Sequence, residues 1–495
     1  MDHVNTYLGI DLGASNGRAY LGRLHEGKLA IQEVHRFKHE AQDIGGTLYW
    51  DIFSLWKGIV GSLEICSKRG LKSLSGIGVD SWGVDFGFIG EDNRLTGIPI
   101  SYRDKRSRGV EKYLGSLICE EELYQLTGNI FSRITTLSQL VSIQREYPQN
   151  NLLNCSKYLL MISDLFRYLL GSGSGIELTS AGTTQLVDIR TKQWCIPIVT
   201  KFAIPERILP EIIPTGHITG ELSGNLRNRT GFEGAPLIAV AGHDTASAVA
   251  AIPQLDENTM YISCGSWSMV GKVVDDLVSH PSLVRKKYLH MLGFDELLLV
   301  KALMGFYYFE RYTGYLKADN KKLTYNTLID MASGAESFPC IFDMNSQHFF
   351  EPEDPQLSVK EFLRQTGQKQ VDRPAEILRA VLEGLAFSYR LTLEEIEQIT
   401  SKKINKICIV GGGARNPPFC QMVADASGVE VLAGPIEATV IGNIAIQALA
   451  TGQLQSRQDI RECVKASIEQ KPYHPDTNEL WINHYERYKE IVRHR

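Results

Sequence analysis

The chain has no run of five or more lysines and arginines, no Cys-x-x-Cys pair, no Cys/His cluster and no stretch of 18 consecutive apolar residues. Each absence excludes a class of function. Without a basic run, and with a formal net charge of -5 at pH 7, the chain offers no electropositive field to hold a nucleic acid backbone or an anionic membrane. The nine cysteines are odd in number and scattered from Cys66 to Cys463, so neither a disulfide framework nor a zinc site is expected. They suit a reducing cytoplasm. The opening MDHVNTYLGIDLG runs into a strand pattern with no basic and then apolar leader, so a cytoplasmic location without export signal or membrane span is expected.

What is present is ordinary for a globular protein: 43% hydrophobic and 22% charged residues. A length of 495 residues exceeds what one core supports, which predicts two or three domains with a cleft between them. Alternating apolar residues predict strands over Tyr7 to Asp11, Arg18 to Leu24 and Leu29 to Phe37, a meander with a Gly/Ser/Asn turn after the first strand. Helical spacing follows from Trp50 to Lys68, then an apolar strand in SGIGVDSW, an order that predicts a mostly parallel α/β core. YLLMISDLFRYLLG reads as a helix ending on Gly171. ENTMYISCGSWSMVGKVVDD repeats the strand-turn-strand pattern and implies two similar halves. A long helix over AEILRAVLEGLAFSYRLTLEEIEQI, a strand-turn-helix over INKICIVGGGARNPPFCQMVADASG and a small-residue helix over ATVIGNIAIQALA complete the pattern. The polar tail is expected to pack on the surface. The domain boundaries expected are 1–246, 247–455 and a tail over 456–495.

Six stretches carry possible chemistry. DLGASNGRAYLG places Asp11 at a strand end before Gly13, Ser15 and Gly17, so turn amides can cradle phosphate oxygens while Asp11 holds Mg2+ through water; a plain hairpin is the alternative. SCGSWSMVG offers a second such turn at Gly265 and Ser266. VGGGARN, with Gly412 at its centre, allows a nucleoside to approach the backbone closely, or is a tight strand-to-helix turn. In GVDSWGVDFG, Trp82 can stack on a sugar face, the Trp82-Gly83 backbone can donate to hydroxyls and Asp85 can accept; the alternative is a buried strand bent at Gly83. Asp104 and Arg106 in YRDKRS hold either hydroxyls or each other. AGHDTASAV sets Asp244 at the mouth of an apolar helix, where it serves as an N-cap or as a general base toward a hydroxyl attacking a phosphoryl group.

In this order, DLGASNGR, GVDSWGVDF, YRDKRS, AGHDTASAV, CGSWS and VGGGARN resemble the FGGY carbohydrate kinases, most closely their rhamnulokinase branch, over about Tyr7 to Thr451. The resemblance implies an α/β actin-like ATPase fold, two ribonuclease H-like domains whose cleft closes to keep water from the transfer. It implies ATP and Mg2+ as cofactors and phosphoryl transfer to O1 of L-rhamnulose, with a ketose and ATP as the partners of a monomer or homodimer. By position, Ala14, Ser15, Asn16, Gly17 and Arg18 resemble the first phosphate loop. Gly265 and Ser266 resemble the second, Ser266 standing where relatives often have Thr. Glu310 and Gly412 resemble nucleotide contacts; Gly83, His243, Asp244 and Thr245 resemble sugar contacts; Asp244 resembles the catalytic base. Two positions depart from the pattern: Ala302 where relatives tend to have Asn toward the sugar, and Glu310 where they tend to have Gln toward the nucleotide. Losing an amide that pairs a hydroxyl changes which sugars are rejected, so a related ketose such as L-fuculose or a ketopentose is the alternative substrate. A non-catalytic sensor on the same fold is the alternative outside enzymes.

Overall fold

The protein is described by a computed structural model covering residues 5–146, 152–350, 352–476 and 478–493. It divides into two compact units: Met1–Pro253, Val274–Leu299 and Ala438–Ser467 in the first, and Gln254–Val273, Val300–Glu437 and Ile468–Arg495 in the second. This is not a single cut near residue 246. Helix Ala438–Ala450 joins the first unit because it packs tightly against helix Asp244–Ala250; a Cβ on Gly442 would lie 1.8 Å from the carbonyl oxygen of Ser247. The small residues of both helices are what permit that approach.

The first unit is built on a six-stranded sheet in the order His217–Glu221, Pro236–Ala239, Gly76–Ser81, Asn5–Leu12, Asn16–His25, Lys28–Lys38. Its three middle members Pro236–Ala239, Gly76–Ser81 and Asn5–Leu12 are parallel, and the strands outside them are antiparallel. The expected mostly parallel core is therefore confined to the centre, because the opening meander pairs with itself. Central strands covered on both faces read as unbroken apolar runs. Asn5–Leu12 follows this over residues 7–10 and is buried after its first residue, with Asp11 as its one charged member.

The second unit repeats the arrangement. Strand Trp267–Val274 pairs antiparallel with Thr259–Cys264, which pairs parallel with Lys406–Val410, and this in turn with Glu430–Ala433. The 27-residue helix Pro374–Thr400 packs beside them. Two segments differ from the sequence reading. Ser156–Met161 is a strand paired with Phe86–Gly90, and only Ile162–Leu170 is helical; a short apolar run such as YLLM does not by itself distinguish the two states. The tail is more than a surface cover. Lys471–Tyr473 extends the second sheet, and helix Glu479–Arg493 buries Trp481, Tyr485 and Tyr488.

Candidate active site

The first unit gathers its acidic residues at the carboxyl ends of the parallel strands. Asp11 and Asp80 are in register on neighbouring strands, 2% and 0% exposed. The antiparallel return strand places Arg18 opposite Asp11, and the two form an ion pair. Asp80 accepts from Nδ2 of Asn443 at 2.6 Å, while its Oδ1 has no hydrogen-bond partner. Burial pushes both acids above the usual carboxylate range, Asp80 the further because Asp11 stands beside it. Between strand and return, the backbone of Gly13 to Arg18 turns with Gly13 N donating to Asn16 O at 3.0 Å. Ser15 is exposed, and Ala14, Asn16 and Arg18 are half-buried, so the loop presents its surface to solvent.

Asp244 comes to the same strand ends through a turn with no room to spare. A Cβ on Gly242 would meet Ser180 Oγ at 2.3 Å and Ser163 Oγ at 2.7 Å, so only glycine fits. The turn is pinned from both sides: Gly242 N donates to Glu177 Oε2 at 2.9 Å, His243 N to Thr179 Oγ1 at 3.2 Å, and Ser81 N to Gly242 O at 2.9 Å. Asp244 is the first residue of the helix, one place past the N-cap position, which His243 occupies. The N-cap position thus falls to His243, whose side chain makes no capping bond, and Asp244 sits inside the first turn. Its carboxyl, one-third exposed, accepts from Thr245 Oγ1 at 3.2 Å and lies 3.6 Å from Nε2 of His243. Desolvation pushes Asp244 up to about 6. The same cause lowers His243 to about 4, so its ring is neutral at pH 7, with Nδ1 unpartnered.

The tryptophan turn lies nearby in sequence and is built differently from the expectation. Asp85 does not reach solvent: it is fully buried and accepts from both Trp50 Nε1 and Trp82 Nε1. The reading of Asp85 as an acceptor for a sugar hydroxyl is corrected accordingly. Trp82 is 7% exposed, and Gly83 is half-buried against Thr183, whose Cγ2 would stand 2.8 Å from a Cβ. Asp104 is also buried; it accepts from Leu48 N at 2.8 Å and Arg106 N at 2.9 Å and faces the Arg106 guanidinium at 3.7 Å. Of its two readings, holding Arg106 is the one realised.

In the second unit the other two glycine turns meet. Gly265 and Ser266 are exposed at the tip of the hairpin, and Ser266 Oγ donates to Glu310 at 3.0 Å. The backbone of Gly305 to Tyr307 donates to the carbonyls of Gly265 and Ser266. A Cβ on Gly305 would lie 2.3 Å from Gly265 O, and one on Gly413 would lie 2.5 Å from Cys264 Sγ. Gly411 takes φ 80° beside the Cys264 carbonyl. Gly265, Ser266, Glu310 and Gly412 are thus exposed beside close-set backbone in which Gly413 is buried against Cys264. Ala302 is exposed on strand Leu297–Met304.

Residues 6–251 match the family model of the FGGY family of carbohydrate kinases, N-terminal domain, and residues 260–451 match that of its C-terminal domain. The chain belongs to the FGGY family of carbohydrate kinases. It is 33% identical to a rhamnulokinase from Bacteroides thetaiotaomicron, over 98% of this chain and 99% of that one. It is 32% identical to a rhamnulokinase from Halalkalibacterium halodurans, over 95% and 99%. Among solved structures, a xylulose kinase from Lactobacillus acidophilus superposes with a TM-score of 0.79 at 16% identity, covering 99% of this chain and 98% of the other. Glycerol kinase from Plasmodium falciparum superposes at 0.80 and 15%, with the same coverage. The fold is the two-domain, actin-like ATPase fold expected from the motifs, and the protein is a sugar kinase.

The donor set of this FGGY kinase suits magnesium. Among the described residues no group of three or more His, Cys, Asp or Glu forms a metal cage. Mg2+ does not need one, since it keeps several waters and takes one or two carboxylates plus substrate phosphates. The adjoining buried carboxyls of Asp11 and Asp80, with Oδ1 of Asp80 lacking a hydrogen-bond partner, are the residues that would hold such an ion. Sequence reasoning gave Asp11 the metal role, noted Asp80 in GVDSWGVDFG without assigning it one, and passed over Asn443, Glu177 and Gln139. A signal existed for Asn443: it and Gln447 are spaced i, i+4 in an otherwise apolar helix, and both are buried and hydrogen-bonded to each other.

Proposed function

We propose that this kinase transfers the γ-phosphoryl group of ATP to O1 of L-rhamnulose, with Asp244 as the general base. Near-full-length identity to several rhamnulokinases supports the substrate, and the geometry of Asp244 supports the role. Unlike the buried Asp11 and Asp80, its side chain is one-third exposed, on a pinned turn, with a basicity raised to about 6. That value suits a base which takes the proton late, as the oxygen bonds to phosphorus. The sugar would lie against Trp82, Gly83, His243 and Thr245. His243 stays neutral and contributes a ring nitrogen to a hydroxyl. Amides of Ala14 to Arg18, with the Arg18 guanidinium, would hold phosphate oxygens; Gly265, Ser266, Glu310 and Gly412 would hold the nucleotide. Asp11, with Asp80 beside it, would hold hydrated Mg2+. When bound, the ion supplies charge neutralisation of the phosphates.

Asp244→Asn tests the mechanism: phosphoryl transfer falls by orders of magnitude while sugar binding persists. Activity near wild type would overturn the assignment. A second reading, a related ketose as substrate, rests on the resemblance alone, in which Ala302 replaces an Asn and so lacks an amide to pair a hydroxyl. An ADP-release screen against ketoses with Mg2+ and ATP separates the two. A best kcat/KM on any sugar other than L-rhamnulose refutes the narrower proposal. No helix among the described residues is long and apolar enough to cross a membrane.

A further inference from the structure

Behind the turn Trp82 to Val84 sits a carboxylate that the phosphoryl transfer does not touch. Four N–H groups converge on the buried Asp85: Trp50 Nε1 at 2.6 Å, Trp82 Nε1 at 3.0 Å, Gln139 Nε2 at 3.0 Å and the Tyr102 backbone at 3.2 Å. None of these can accept a proton, so an un-ionised acid would leave its own O–H without a partner there. Its charge is answered at one remove. Gln139 is oriented by the Arg106 guanidinium, whose Nη2 donates to Gln139 Oε1 at 2.7 Å, and Gln139 also donates to Val84 O at 3.2 Å. Arg106 is itself 5% exposed and held near Asp104. Asp104, Arg106, Gln139 and Asp85 form one buried line ending on two indoles.

From the indoles the line continues to the phosphate loop. The rings of Trp50 and Trp82 have centroids 4.3 Å apart, and His39 stacks on Trp82 at 5.8 Å with 21° between planes. Nε2 of His39 donates to the carbonyl of Gly13 at 2.8 Å. Gly13 is where the loop Gly13 to Arg18 begins.

We propose that Asp85 is a positioning residue for the reaction, holding the Trp82 to Val84 turn for the sugar and, through Trp82 and His39, the Gly13 to Arg18 loop for the phosphates. The proposal rests on the reading of that turn as a sugar contact and of that loop as a phosphate contact. Its consequence is that one buried carboxylate governs both substrate constants.

The test compares Asp85→Asn, Trp50→Phe and His39→Phe with wild type in steady-state kinetics and near-UV circular dichroism. Both indoles and the Tyr102 amide donate to Oδ2 while Gln139 alone donates to Oδ1, so Asn keeps an acceptor for the indoles and turns its N–H2 on Gln139 Nε2, which loses its acceptor and loosens the turn it holds through Val84 O; leaving a buried donor unpaired corresponds to about 5- to 100-fold in binding. Asp85→Asn is expected to raise KM for the ketose within that range and KM for ATP by less, to leave kcat within about threefold, and to alter the aromatic circular dichroism of the coupled indoles. Trp50→Phe keeps a ring and removes one donor, and shifts the ketose KM in the same direction by about 2- to 10-fold. His39→Phe keeps the stacking and loses the Gly13 bond, so only KM for ATP rises, by a similar factor. A role in fold stability alone would lower Tm and leave the KM values of folded protein unchanged, which overturns the proposal. So would an altered aromatic spectrum with an unaltered ketose KM, because the turn would then not face the sugar. If Asp85→Asn does not fold, Trp50→Phe and His39→Phe decide the matter by the same KM criteria. Failure of the proposed function is distinct, because it shows as an active Asp244→Asn whatever Asp85→Asn does.

Discussion

Asp11 and Asp80 stand in register on adjacent parallel strands, both buried, one paired with Arg18 and the other with Asn443. Two carboxyls so placed resist ionising together unless a cation joins them. Asp80, held well above its ordinary value by burial and by Asp11, therefore favours the folded state while protonated. That contribution is complete at acid pH and is lost as pH rises above the unfolded-state value. Asp80→Asn keeps an acceptor for Asn443 and removes the ionisation. Thermal melts from pH 5 to 8 without Mg2+ should show the variant gaining on wild type as pH rises. In activity, the variant should need more Mg2+ for half-maximal rate, because half the carboxylate pair is gone.

Asp244→Asn should lower kcat by about 10²- to 10⁴-fold, the range that positioned proton transfer supplies. Isothermal calorimetry with the ketose should return an affinity close to wild type.

The pH profile follows from the same residue. With Asp244 pushed up to about 6, the proposed base would be protonated and idle below that pH and competent above it. The kcat/KM for the ketose should fall tenfold per unit as pH drops below about 6 and level off above it. His243, lowered to about 4, should add no inflection between pH 5 and 8.

Ser266 donates its hydroxyl proton to Glu310, so an anionic carboxylate lies where the phosphate tail of a nucleotide is proposed to bind. Glu310→Gln keeps an acceptor for Ser266 and removes the repulsion. KM for ATP should fall by about 2- to 10-fold, an effect of the size of one charge-assisted contact, with the ketose KM unchanged. Initial-rate measurements varying each substrate in turn would decide it.

Gly442→Ala should be severely destabilising, because its Cβ would lie 1.8 Å from the Ser247 carbonyl and the two helices would have to part. Overpacking of this kind costs about 1–3 kcal/mol or more. A urea titration should show a lower midpoint, and activity should fall with it, since Asp244 begins the helix that must move.

Much of the scaffold was legible in the residues themselves. The opening meander, the glycine turns and the long helix Pro374–Thr400 follow from periodicity and from backbone freedom at glycine, which act locally. Local signals misled where context decided. Ser156–Met161 is a strand because Phe86–Gly90 pairs with it, and Lys471–Tyr473 is a strand because Glu430–Ala433 offers an edge. Trp481, Tyr485 and Tyr488 did carry helical spacing, which marks a buried face.

The order of motifs and the identities of Asp11, Asp244, Ser266 and the glycines were determined by sequence alone, because family order and turn chemistry are properties of short stretches. Which acids are buried, and what answers their charge, was decided by tertiary structure. Asp80 is satisfied by Asn443, 363 residues away, and Asp85 is enclosed by donors from Trp50, Trp82, Tyr102 and Gln139. Desolvation and pairing arise only when distant segments pack together, so the same letter, D, marks a partly exposed carboxyl at 244 and a fully buried one at 85.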